Sequence, residues 1–193
     1  MCRSRYRSLR RVAALVMGAV VSLMGCHALA AETIRGIPFP LDIGDFRKTG
    51  VINNEPEHPG MGVTIRYSAG GPFATVFVYD LGRPRVTQGA EGHEVRAQAL
   101  QAEHDIRTVR GAIEVLQPIA AATGPCQRFV RAKYRFMDRG TSTGQWMESH
   151  LYLGVAKGQF VKIRVSYPDD QARPVGEAAA VRFAETVCQL SSR

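Results

Sequence analysis

The chain lacks most of the local signatures that announce a chemistry. It has no phosphate loop ending in Gly-Lys-Ser/Thr, which argues against a P-loop nucleotidase. It has no nucleophile elbow, since Ser68 sits in Arg66-Tyr67-Ser68-Ala69-Gly70. Gly60-Met61-Gly62-Val63 opens like a dinucleotide fingerprint, but a third glycine is missing and a strand-like alternation follows, so it reads as a turn. His93-Glu94 opens like a zinc-protease helix, yet Ala97 stands where the second histidine must share a face with His93. His58, His104 and His150 show no ligand spacing, so neither a metal nor a cofactor is expected. Glu103 and Asp105 flank His104, but adjacent helical positions do not face one another and make no dyad. There is no CxxC pair, no internal repeat and no low-complexity tract.

What is present begins with a leader. The first thirty residues hold five arginines (Arg3, Arg5, Arg7, Arg10, Arg11) and no acid. Removing those five from the 25 basic residues leaves 20 against 17 acids, a net of +3 rather than +8. The high pI therefore belongs largely to the leader and is no argument for nucleic acid, which is not an expected partner. An apolar run from Val12 to Gly25 follows, then Ala28-Leu29-Ala30, with small residues placed for a cut before Ala31. The pattern predicts a signal peptide over 1–30 and an exported chain, periplasmic or secreted. Leu23-Met24-Gly25-Cys26 resembles a bacterial lipobox, so Cys26 is a candidate lipidation site and membrane anchoring stands beside plain cleavage. No later stretch is long and apolar enough to span a bilayer.

Roughly 160 residues remain, enough for one domain, 31–193, with its own core. Two cysteines remain with them, Cys126 and Cys188, and in an oxidising compartment they are expected to form a disulfide. A free, reactive Cys126 has no neighbouring histidine or second cysteine to support it. The residues from Met147 to Tyr167 read as two strands about the turn Ala156-Lys157-Gly158-Gln159. Arg128 to Met137 alternates sharply and joins them as a third strand. Val63–Ser68 and Phe73–Leu81 read as an earlier hairpin, the second strand apolar on both faces. Residues 31–60 are rich in turn signals, with Phe46 to Ile52 reading as an edge strand within them and Asn53 to Gly60 as a surface loop; Ala112 to Leu116 reads as a short strand. Val95, Ala99, Ala102 and Ile106 stripe a helix from about Glu91 to Arg110. Ala180, Phe183, Val187 and Leu190 stripe a second one, beginning near Pro174. The fold class is α+β: a mostly antiparallel sheet with a C-terminal three-stranded meander and two packed helices.

Two runs, Pro59-Gly60-Met61-Gly62-Val63-Thr64-Ile65-Arg66-Tyr67 and Ala74-Thr75-Val76-Phe77-Val78-Tyr79-Asp80-Leu81-Gly82, resemble a group of uncharacterised exported bacterial proteins. The order of elements is similar to the PsbP/Mog1-like α/β sandwich. That resemblance implies a fold used by accessory and binding proteins and carries no functional residues across.

One constellation remains. If the meander's strands pair in sequence order, Arg131, Lys133, Arg135, Lys162 and Arg164 share one face, with Tyr152 and His150 between them and Phe160 and Arg66 near. Basic groups beside aromatic rings suit an anionic envelope ligand, and the same residues also suit a solvent face with cross-strand charge pairs, Glu148 supplying an acid. The expected function is a non-catalytic binding or accessory protein. The alternatives are an envelope-acting enzyme using His150 and Tyr152 as acid and base, and an immunity-type protein docking a partner on Phe77 and Tyr79.

Overall fold

The computed structural model describes residues 31–86, 89, 92–139, 144–170 and 173–193. The expected signal peptide with Cys26, and Glu91 at the expected helix start, lie outside the described residues. In chain order the described residues form β1 (Glu32–Ile34), β2 (Ile37–Phe39), β3 (Asp42–Ile43), β4 (Phe46–Asn53), β5 (Val63–Ser68), β6 (Phe73–Tyr79), α1 (His93–Arg110), β7 (Ile113–Ala121), β8 (Phe129–Asp138), β9 (Gln145–Ala156), β10 (Gln159–Pro168) and α2 (Arg173–Ser192). β1 and β2 pair as a separate hairpin. The other eight strands make one sheet in the order β3-β4-β5-β6-β10-β9-β8-β7. Its pairings are all antiparallel, and the fold is α+β as the sequence predicts.

The β9–β10 hairpin lies at the centre. Lys157 and Gly158 both take positive φ, 51° and 76°, as a two-residue turn between right-twisted strands requires. β10 then pairs with β6 on its other side, which joins the two halves of the chain into one sheet. Two expectations for the edges change. β4 is not the edge, because Asp42 and Ile43 pair outside it. β7 runs on to Ala121 through Pro118, where the register shifts twice; a proline without an N–H is tolerated on an edge strand at such bulges. Residues 31–45 hold three short strands rather than turns alone, and Ile37 and Phe39 are fully buried.

The helices cover opposite faces. On one, Val95, Ala99, Ala102 and Ile106 of α1 join clusters with Val130, Leu153, Phe160, Tyr134 and Leu151. On the other, Phe183 of α2 meets Phe46 at 4.8 Å and Tyr67 at 5.1 Å between ring centroids. Gly176 lets α2 approach the sheet, since a Cβ there would stand 3.0 Å from the Tyr167 side chain. Cys126, in a short 3-10 turn before β8, and Cys188 of α2 are buried at disulfide distance with Cα atoms 5.2 Å apart.

That pair closes a loop with a sequence separation of 62. Replacing both residues, Cys126→Ala with Cys188→Ala, is expected to cost about 4 kcal/mol of unfolding free energy on the chain-entropy estimate. Urea titrations of the oxidised protein and the double variant measure it; equal midpoints would mean that the bond does not constrain the unfolded chain.

Candidate functional site

Register partners of antiparallel strands point to the same face. Arg131 lies opposite Tyr152, Lys133 opposite His150 and Arg135 opposite Glu148. Tyr152 in turn lies opposite Ile163, and His150 opposite Val165. Lys162 and Arg164 occupy the alternate positions, opposite Leu153 and Leu151. The five cations expected on one face are therefore divided. Arg131, Lys133 and Arg135 lie on the α2 face with His150 and Tyr152; Lys162 and Arg164 lie on the α1 face. Phe160 is also on the α1 face and fully buried, and exposed Arg66 lies on that side through its pairing with Thr75. The reason is physical. β10 carries its aliphatic residues on the face where β8 carries its cations, and both faces are roofed by a helix.

On the α2 face the charges form a closed network. Lys133 Nζ stands 2.7 Å from Glu148 Oε2 and 2.7 Å from Glu177 Oε1. The Tyr167 hydroxyl donates to Glu148 Oε2 at 2.8 Å, and His150 Nε2 is 3.1 Å from that hydroxyl. Arg173 Nε lies 3.1 Å from Glu148 Oε1. Arg135 donates to Asp169 at 2.6 Å and lies over the Trp146 ring at 4.5 Å. Burial works to raise the Glu148 pKa, but hydrogen bonds from Lys133 and Tyr167 and the charges of Lys133 and Arg173 hold it below the usual carboxylate range. Hydrogen bonding to Lys133 outweighs burial and likewise lowers Glu177. His150 is pulled down to about 4, first by burial and then by the Lys133 charge. At 6% and 4% exposure, His150 and Tyr152 lie under α2, stacked on each other, where a substrate proton has no approach. Lys133, 5% exposed, is occupied by two carboxylates. Arg131 remains exposed.

The α1 face is different. α1 packs on β7, β8 and β9 and leaves β5 and β6 partly uncovered. Between its flank and the sheet lies a cleft of about 570 Å³, lined by Met61, Leu81, Phe77, Tyr79, Gln98 and Lys162 among others. A narrower extension of about 160 Å³ shares Phe77, Asp105 and Lys162 and reaches Arg164. Lys162 Nζ lies 4.4 Å from the Phe77 ring centroid and 5.7 Å from that of Tyr79. It forms no ion pair among the described residues. Burial lowers its pKa, the Asp105 charge opposes this, and the Arg164 charge adds to it. Arg164 donates from Nε to Ser149 Oγ at 3.2 Å and lies 5.4 Å over Phe136, while its Nη2 is buried without a hydrogen-bond partner among the described residues. Burial, then the nearby Arg110, lowers Arg164 to about 10, so it stays charged at neutral pH. Asp105 is the acid of the lining; it is exposed and accepts from Gln101 Nε2 at 2.8 Å.

The outer rim is the loop between β4 and β5, which the sequence reads as a surface loop and turn without placing it at a cleft. Glu55 accepts from the N–H groups of Gly60 and Gly62 at 2.8 and 2.9 Å, and Gly60 O accepts from Leu81 N at 2.8 Å. Gly62, at φ 59°, presses on β6 so closely that a Cβ would fall 1.9 Å from Val78 O. The Gly60-Met61-Gly62 turn thus seats Met61 beside Leu81. The two-sided apolar pattern of Phe73–Tyr79 was the available signal for an open face, but nothing local showed that the loop packs against it.

No family model matches the chain, and no curated protein does. Among solved structures, a variant of the protein Mog1 is similar at a TM-score of 0.37 and 12% identity, covering 78% of this chain and 89% of that one. The structural likeness is weak and carries no functional argument.

Two outcomes follow from the closed network. Lys133→Ala leaves Glu148 buried beside one fewer cation and is expected to cost about 3–5 kcal/mol, read by urea unfolding; a change within 0.5 kcal/mol would mean the network is not structural. Unfolded, His150 takes its proton near 6.5; folded, near 4. The unfolded chain then binds more protons in that interval, so stability falls as pH drops from about 6.5 to about 4. Glu148 and Glu177, both held low, add loss from about 4.5 downward. Thermal melts should show both parts, and His150→Phe should flatten only the upper one.

Proposed function

We propose that this chain is an exported, non-catalytic binding or accessory protein that holds an anionic amphiphile in the cleft between α1 and the sheet. The observation that carries the reading is the pair Lys162 and Arg164 on the floor of an apolar cleft. Neither forms an ion pair among the described residues, and Arg164 keeps a buried N–H group unbonded. A buried donor without an acceptor costs about 1–3 kcal/mol, which an anionic head group removes by accepting. An apolar body would lie along Phe77, Leu81 and Met61. The concavity supports a small molecule over a flat protein docking patch at Phe77 and Tyr79, which instead floor the cleft. The buried His150 and Tyr152 give the enzymatic alternative no support.

The test is native mass spectrometry of the protein taken from its own cell envelope, followed by titration with dodecanoate. A co-purifying anionic mass, a Kd at least tenfold weaker for Lys162→Met with unchanged melting, and tighter binding for Asp105→Asn are expected. An envelope protein with no added mass, together with dodecanoate binding unchanged by Lys162→Met, would overturn the reading. Recovery from the envelope also tests export, and the mass shows whether the chain starts at Cys26 or Ala31.

A further inference from the structure

A second concavity lies at the turn end of the central hairpin, and no part of the reading above uses it. Its volume is about 770 Å³ and its lining is mainly polar. Four separate segments bring cations to it: Arg35 from the β1–β2 turn, Arg83 and Arg85 from the loop after β6, Arg128 before β8, and Lys157 from the β9–β10 turn. Asp80 is the acid of the lining. Two of the five cations are already engaged. Arg35 pairs with Asp80 at 2.6 Å and with Glu55, and Arg83 pairs with Glu94. Arg85, Arg128 and Lys157 are exposed and form no ion pair among the described residues.

These three are held in place by backbone rather than by acids. Val86 N donates to Gly158 O at 2.8 Å, which ties the Arg85 loop to the β9–β10 turn. The Arg85 side chain packs so closely there that a Cβ on Gly158 would stand 3.0 Å from Arg85 Cγ. Arg128 is seated by the close approach of its carbonyl to Gly154, where a Cβ would lie 2.8 Å away. The C-terminal end of α2, Ser191 and Ser192, shares the rim and adds a partial negative charge of about half a unit. Three whole positive charges exceed that. Like charges held together with no acid paired to them among the described residues are destabilising on their own, so their arrangement around one concavity is explained by an anion that enters it. Two arginine forks and an ammonium at separate points suit an oxyanion of several charges, and phosphate is the group whose geometry an arginine fork matches in two parallel bonds.

We propose that the groove formed by Arg85, Arg128 and Lys157 is a second, independent site that binds a phosphate-bearing ligand. The phosphate could be free or carried on a lipid head group, and the two sources are separable.

The protein expressed from its full-length gene is titrated with inorganic tripolyphosphate by calorimetry at about 150 mM salt, where unfocused surface attraction is largely screened. In parallel it is sedimented with phosphatidylglycerol vesicles and with phosphatidylcholine vesicles. Arg85→Glu with Arg128→Glu is the test variant; both sites are exposed, and melting curves check its folding. Lys162→Met serves as the control in the tripolyphosphate titration and should leave that binding unchanged. The expected result is binding weakened at least tenfold in the double variant. If that loss is seen with tripolyphosphate, the ligand is a free phosphate compound; if it is seen with phosphatidylglycerol vesicles alone, it is a lipid head group. Absence of binding to both probes, or binding that the folded double variant leaves unchanged, overturns the proposal. Because Lys162 lies in the other cleft, failure here leaves the amphiphile reading untouched, and the reverse also holds.

Discussion

A sheet roofed by a helix on each face has no wet side on which to place its charged residues. α1 covers one face and α2 the other, and the central strands β9 and β10 are buried on both. Apart from exposed Arg66 and Arg131, the cations these strands and their neighbours carry must then meet an acid, lie on an aromatic ring or open into a cleft. Desolvating an unpaired charge costs several kcal/mol even after relaxation, so the choice among these is not neutral. The structure uses all three. Lys133 meets two carboxylates, Arg135 meets Asp169 and Trp146, and Lys162 and Arg164 lie on rings at the cleft floor.

The same constraint explains what the sequence made legible. Alternation along β8, β9 and β10 was readable because each strand has a period of two, and the helix stripes were readable because Val95, Ala99, Ala102 and Ile106 recur on one face. Alternation within a strand does not say which side of its neighbour it joins. That depends on register, and a shift of one residue exchanges the faces. Tyr152 pairs with Arg131 on one side and Ile163 on the other, so polar and aliphatic residues share a face that the sequence kept apart. The strands in 31–45 stayed hidden because two or three residues are too few to show a period, and Arg35 at φ 49° gives no more signal than any polar turn residue. The cleft rim was illegible for another reason: Met61 and Leu81 are twenty positions apart and line one cleft only because Gly60 and Gly62 hold the loop against β6 and the residues after it.

The contrast between the two buried sets of charges separates structure from function. Around Glu148 each partner is itself partnered, and the geometry is filled: Lys133, Tyr167 and Arg173 all reach one carboxylate. Such a network ties α2 to the sheet through Glu177 and Arg173. Around Lys162 and Arg164 the protein supplies rings and a serine hydroxyl, which lessen the cost of burial without neutralising charge. Cation–ring contacts contribute about 0.5–2 kcal/mol, less than the burial of an ion costs. That shortfall from neutrality is what supports the proposed anionic ligand.

The two concavities differ in what they can select. The α1 cleft and its extension are apolar around two cations, so a small anion leaves the walls empty and a neutral apolar molecule leaves Arg164 Nη2 unbonded; the proposed amphiphile meets both demands. The groove at Arg85, Arg128 and Lys157 is polar and open, so apolar surface gains nothing there and charge alone decides. Its affinity should therefore fall steeply with salt, while that of the cleft, drawing on buried area, should fall little. The two proposed sites thus have separate selection rules and are joined by the β9–β10 hairpin, whose strand β10 floors the first with Lys162 and whose turn rims the second with Lys157.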